Sequence, residues 1–315
     1  MKMIKKTASV LVACLLLLQG CGQAPKTDKQ IIKETMQAIE IPKQYQQEPF
    51  YYAGIYSANI KWELFINDTQ TFAHYQGKIT SPIVPLNYNI LGSGKQKLTI
   101  RMYPPNGQTV LGEYAAFRLR LYYRKNFRDK KVPEIPILDF ELPYEQTKDL
   151  PYFEKSFEFE AQVPYQMTGW TKSKDLTKVP DLEQKVVKKI EALRTILENK
   201  DTEAYFQAVM PRSKEQFICL YATQQEIENS FQEDSLTNGQ LSKILDDIQI
   251  LPITDYQIIL EPHNRIVKLR QKDDDSFTDG IKFKAIDKED KKEITGGYYF
   301  RFHIPEGSDE LEVIR

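Results

Sequence analysis

Three histidines and three cysteines are the side chains of this chain best suited to proton transfer, nucleophilic attack or metal binding. His74, His263 and His303 are far apart, and none stands at a ligand spacing from a second His or Cys. His263 sits in a Pro-His-Asn turn, where a solvated ring is expected. His303 ends the alternating run Tyr299-Phe300-Arg301-Phe302-His303. Strand geometry puts it with Tyr299 and Arg301, opposite Phe300, Phe302 and Ile304. Nucleophile motifs such as Gly-x-Ser-x-Gly are absent, and Gly92-Ser93-Gly94 reads as a turn. Gly94-Lys95 fails as a phosphate loop, because Asn89 stands where a glycine is needed and Gln96 where a hydroxyl is needed. Asp273-Asp274-Asp275 followed by Asp279-Gly280 lacks the alternating ligands and closing glutamate of a calcium loop, and reads as a solvated hairpin turn. These residues therefore predict no catalytic constellation, no metal and no cofactor. Cys219, in Gln216-Phe217-Ile218-Cys219-Leu220, is expected as a small core residue.

Cys21 stands in a different setting. Lys2, Lys5 and Lys6 make a positive block, and the apolar run from Ala8 to Leu18 follows. That run has 11 residues, too few for a membrane span, which takes about 20. Leu18-Gln19-Gly20-Cys21 resembles the lipobox of bacterial lipoproteins, with Gln19 departing from the small or β-branched residue usual there. The resemblance covers residues 1–21. It implies a signal peptide over 1–20 and lipid carried on Cys21, which becomes the first mature residue. It also implies a place in the bacterial cell envelope. Gly22, where inner-membrane retention would use an aspartate, implies the outer membrane facing the periplasm if the source cell is Gram-negative.

Removing residues 1–20 takes away three lysines and no acids, leaving 40 basic and 44 acidic side chains and a net charge of −4. That balance argues against bulk electrostatic binding to nucleic acid. Cys14 leaves with the signal peptide, so Cys219 is the one thiol left once Cys21 is acylated, and no intramolecular disulfide is expected.

The elements expected to position these residues fall into blocks. Residues 21–48 are polar and read as a tether, with one short helix from Ile31, Ile32, Met36 and Ile39 before Pro42. Over 49–172, alternating runs at 60–66, 98–103, 117–124 and 157–163 are separated by Gly and Pro turns, which predicts an antiparallel β-sandwich. Arg118, Arg120 and Arg124 share a face of one run and are expected to be solvated. Residues 173–181 read as a linker ending in Pro180-Asp181. Over 182–315, helices come first: one capped by Asp181, one capped by Asp201, one starting at Pro211, and a fourth over Leu241, Ile244, Leu245 and Ile248. Strands follow, around 256–260, 265–270, 281–286, 298–304 and 311–313, with a wet charged tip at 287–293. The second block is thus predicted to be an α+β domain with helices packed on a curved antiparallel sheet. Its element order resembles NTF2-like and cystatin-like folds.

The function expected from this reading is a membrane-anchored envelope lipoprotein acting as a non-catalytic protein-binding module, with an immunity-type protein as one version. Tyrosine is the surplus residue, with 18 in the chain, and its apolar body with a polar tip suits binding faces. An alternative is a small-molecule or enzymatic pocket of NTF2-like type lined by Tyr205, Tyr221, Tyr299, Arg301 and His303. A structural role in envelope assembly is the third reading.

Overall fold

The computed structural model describes residues 25–129, 131–272 and 277–315. The expected signal peptide, Cys21 and the expected turn at Asp273-Asp274-Asp275 lie outside the described residues. The fold is mixed α+β, with antiparallel sheets and six α-helices among the described residues.

The first block builds two four-stranded sheets. One has the order β4-β1-β6-β7, from Ile83–Pro85, Phe50–Ala58, Ala116–Arg124 and Ile135–Glu141. The other has the order β3-β2-β5-β8, from Thr69–His74, Lys61–Ile66, Gly94–Tyr103 and Phe153–Ala161. Alternation sends Tyr51, Ala53 and Ile55 of β1 and Phe117, Leu119 and Leu121 of β6 inward. They meet Trp62, Leu64, Leu98, Ile100 and Met102 of the second sheet in one buried cluster. The rings of Trp62 and Phe117 touch edge to face at 5.4 Å, which ties one sheet to the other.

The second block packs α3 (Leu182–Glu198), α4 (Thr202–Cys219) and α5 (Gln224–Asp234) with a seven-stranded sheet. Its path is β13-β12-β11-β14-β15, from Glu293–Tyr299, Phe277–Asp287, Val267–Lys272, Arg301–His303 and Glu312–Ile314. Two further strands, β9 (Leu245–Ile250) and β10 (Tyr256–Leu260), pair with β12 and β11. Val186, Ile190, Leu193 and Leu197 recur along one face of α3 and are buried against this sheet with Val267, Leu269, Phe300 and Phe302.

Five expectations change. The segment expected as a tether contains α1 (Asp28–Ala38), capped by Thr27 and Gln30, and its Ile31 and Ile32 are buried in the second core. Ile39 is buried in the same cluster, and Met36 packs against it. The expected linker is also bound. Ser173 and Leu176 are buried, and the Lys174 and Leu176 amides donate to the Ile304 and Asn264 carbonyls. Asp181 precedes α3 in a left-handed conformation and makes no side-chain cap, whereas Asp201 caps α4 through the Ala204 amide at 3.0 Å. Pro211 does not start a helix but lies inside α4. The missing N–H costs one bond, and burial of Val209, Ser213 and Phe217 along the same helix offsets it. The expected fourth helix stops after one turn, α6 (Gln240–Ile244), and its Leu245 and Ile248 belong to β9.

Candidate functional site

β11 is buried on both faces, and its two faces differ. Val267 and Leu269 lie in the apolar core with the helices. Lys268 and Arg270 point the other way, and the β2–β3 hairpin of the first block covers them. A buried cation must find a counter-charge or lose its own. Lys268 Nζ lies 2.7 Å from Asp279 Oδ2 and 3.9 Å from Glu261 Oε1. Arg270 grips Asp279 with two bonds, Nε to Oδ1 at 2.6 Å and a terminal nitrogen to Oδ2 at 3.1 Å. Arg301 Nε stands 3.8 Å from Glu261 Oε1.

Gln70 closes this cluster from the other block. Its amide N–H donates to Glu261 Oε2 at 3.1 Å, its carbonyl accepts from Arg301, and its side-chain oxygen accepts from Lys268. Its side-chain nitrogen donates to Glu63 at 2.8 Å and to the Tyr75 hydroxyl at 3.0 Å. Tyr103 donates to the second Glu63 oxygen at 2.9 Å. The Arg270 guanidinium lies over the Tyr75 ring, 5.2 Å from its centroid. Burial pushes the Lys268 ammonium down, while Asp279 and Glu261 pull it back up. Burial opposes ionisation of Asp279 too, but the Arg270 hydrogen bonds and the Lys268 charge hold it below the usual carboxylate range. Glu261 Oε1 has no hydrogen-bond partner and faces Lys268 and Arg301 only by charge.

Two further clamps cross the same junction. Arg128 binds Glu48 at 2.7 Å, both oxygens of Glu226 at 2.7 Å, and the Tyr221 carbonyl at 2.7 Å. The Arg128 hydrogen bonds draw the Glu226 carboxyl down to about 2. Arg315 pairs with Glu215 at 2.8 Å, donates to the Tyr88 carbonyl, and lies over the Trp170 ring at 5.5 Å. The chemistry of this junction is mutual neutralisation. Its cations and acids face one another rather than an open cleft.

The five residues expected to line a pocket go to separate places. Tyr205 is buried in the second core, edge-on to Tyr298 at 6.4 Å. Tyr221 is buried in the first core among Tyr45, Phe127 and Tyr165, with its hydroxyl donating to the Pro49 carbonyl at 2.8 Å. Tyr299 is 64% exposed. Arg301 belongs to the junction, and His303 bonds the Ser173 hydroxyl at 2.7 Å. None of the surface depressions of about 650, 670 and 710 Å³ is lined by any of them. His303 is on the expected strand but is buried, and His263 is half-buried rather than solvated. Its Nε2 meets the Thr69 hydroxyl at 3.0 Å, and its ring stacks on Trp170. Cys219 is fully buried, and burial pushes its thiol up to about 12, so it is an inert core residue.

Burial lowers both His263 and His303 from their ordinary value. The unfolded chain therefore binds their protons more tightly than the folded protein does. Stability is complete above about pH 6.5, the unfolded imidazole value, and falls as pH drops through the lower folded values. Unfolding midpoints in urea at pH 7.5 and pH 5.5 should differ, with the acidic sample less stable. A His263→Gln/His303→Gln protein should lose most of that difference.

An exposed face offers contact instead of chemistry. On the outer side of β1 and β6, Tyr52 stacks on Tyr122 at 5.8 Å, Gly54 lies opposite Arg120, and Tyr56 lies opposite Arg118. Ile83 of β4 pairs with Gly54 and is 71% exposed. Gly54 has no side chain to cover it. Arg118 and Arg120 lie on this solvated face, as expected from sequence, and share Asp139 across the β6–β7 pair, at 2.8 and 3.3 Å. Arg124 pairs with Glu134 in the same way. This leaves tyrosine rings and an isoleucine in a frame of neutralised charge, the composition of a contact patch.

No group of three or more His, Cys, Asp or Glu side chains suited to a metal occurs among the described residues. No helix among them is long and apolar enough to cross a membrane. Comparison with protein-family models, curated proteins and solved structures found no match.

Proposed function

We propose that this chain is a lipid-anchored protein of the bacterial cell envelope whose body is a non-catalytic protein-binding module. The observation that carries the reading is the N-terminal sequence: three lysines, an 11-residue apolar run and Leu18-Gln19-Gly20-Cys21. Lipid on Cys21 supplies the membrane attachment, since each buried acyl methylene contributes about 0.8 kcal/mol and several chains together hold firmly. We read residues 49–172 as a β-sandwich and residues 182–315 as an α+β domain. The shared core of the two four-stranded sheets supports the first, and α3 and α4 packed with the seven-stranded sheet support the second. The charged junction fixes the two to each other, so a partner meets a single body.

The contact patch is the outer face of β1, β4 and β6. Tyr52, Tyr56 and Ile83 are its anchors, and a protein partner is the ligand class that fits a sheet face of this composition. A photo-cross-linking amino acid placed at Tyr56 or at Ile83 in cells should yield one discrete protein adduct. The same probe at exposed Tyr152, on the other sheet's side, should not. Equal labelling from all three positions, or none from any, contradicts this assignment.

A further inference from the structure

The docking of α1 changes what the anchor can do. A free chain from Cys21 to residue 48 would let the body drift up to about 90 Å from the lipid. With α1 packed into the second core, the leash runs only from Cys21 to Asp28, seven residue steps and at most about 25 Å. The start of α1 is therefore held within about 25 Å of any membrane that holds Cys21.

An open depression of about 650 Å³ lies at that point, between α1, α5 and α6. Lys29 and Lys33 of α1 and Lys243 of α6 line it, with Glu228 of α5 and Asp28 as its acids. The three lysines are exposed, and among the described residues none of them has an ion-pair partner. Neighbouring Lys26 is different, being held by Glu34 at 2.6 Å and Glu203 at 2.8 Å. Asp28 is already occupied. Its carboxylate accepts from Ser235, from Thr237 at 2.5 Å and from Asn238 at 3.0 Å. Those donors are neutral and leave Asp28 its charge, so three lysines face two carboxylates and the lining of the depression carries a net charge of +1, on a protein whose mature net charge is −4. Nothing about overall charge would place a cationic patch here, and the leash brings it to the bilayer.

We propose that this depression is the membrane-contact surface, and that Lys29, Lys33 and Lys243 hold phosphate groups of anionic lipids in the leaflet that carries Cys21. The inference rests on the lipid-anchor reading and adds an orientation to it. Attraction of surface lysines to anionic lipid is short-ranged, falling off over about 8 Å at physiological salt, so only a tightly leashed face feels it.

The test uses purified lipidated protein in vesicles of phosphatidylcholine with phosphatidylglycerol. Mass spectrometry first establishes the acyl groups. A photo-cross-linker is placed at Gln37, which lines the depression, or at Tyr114, which is 78% exposed on the first block. Lipid adducts are expected at Gln37 and not at Tyr114. Lys29→Glu/Lys33→Glu/Lys243→Glu, or vesicles of phosphatidylcholine alone, should cut the Gln37 yield about tenfold or more, each lysine being worth a factor of about five. Equal yields at the two positions overturn the proposal. So does a Gln37 yield indifferent to the lysines, or stabilisation by inorganic phosphate with no lipid adduct. An acylated protein without adducts overturns this inference alone, whereas an unacylated one overturns the anchor reading as well.

Discussion

Replacing Lys268 by methionine lowers the unfolding free energy by about 3–5 kcal/mol, the range for removing one partner of a buried ion pair. Methionine fills nearly the same volume, so packing is little changed. What changes is charge. Asp279 keeps only Arg270, Gln70 loses its donor, and Glu261 Oε1 is left with Arg301 at 3.8 Å as its nearest cation. The effect appears in equilibrium urea unfolding as a lower midpoint. Because the residue joins the two blocks, the loss should also show in Trp170 fluorescence, since Trp170 stacks on His263 beside this junction. Lys292→Met, in the exposed turn between β12 and β13, should change stability by no more than about 0.5 kcal/mol. Two equal results would mean that charge does not bind the junction.

Trp62→Ala should cost about 3–5 kcal/mol. The indole is fully buried between Phe72, stacked at 5.4 Å, and Phe117, edge-on at 5.4 Å. Its Nε1 donates to the Ser57 hydroxyl at 2.8 Å, and Ser57 is itself fully buried. Alanine leaves a cavity between the two sheets and an orphaned hydroxyl, and the two losses push the cost toward the top of the range. Trp62→Phe keeps much of the ring and should cost less than half as much. Far-ultraviolet circular dichroism in urea reads both without relying on tryptophan emission. If the blocks unfold together, the whole transition moves and its slope stays the same. A split transition would mean that the junction is weaker than Lys268 and Arg128 imply.

Much of the fold was legible where periodicity was strong. The alternation of 98–103 and 117–124 and the repeat along α3 gave the right elements, because each buries one face in a core made largely of its own neighbours. Other elements carry local signals of their own. Thr223 and Glu226 form a capping box ahead of Ile227 and Phe231, enough to predict α5. Tyr51, Ala53 and Ile55 of β1 alternate cleanly, enough to predict that strand. The junction was not legible at all. Lys268 and Arg270 alternate with apolar residues as on any wet sheet face, and only the hairpin carrying Gln70, 198 residues away in sequence, makes that face dry. The same holds for Tyr221, which its local helix pattern assigns to the second block and which inserts into the core of the first. Pairings across that distance depend on tertiary placement, and no local rule encodes them.

The proposed function stands on lipid carried by Cys21 holding this body at a membrane. Metabolic labelling with radioactive palmitate tests it most directly, with the labelled protein followed through membrane fractionation. Label on the full protein and its recovery with membranes are expected, with both lost in a Cys21→Ala protein that still folds. An unlabelled protein, or a Cys21→Ala protein that stays with the membrane to the same extent, would contradict it.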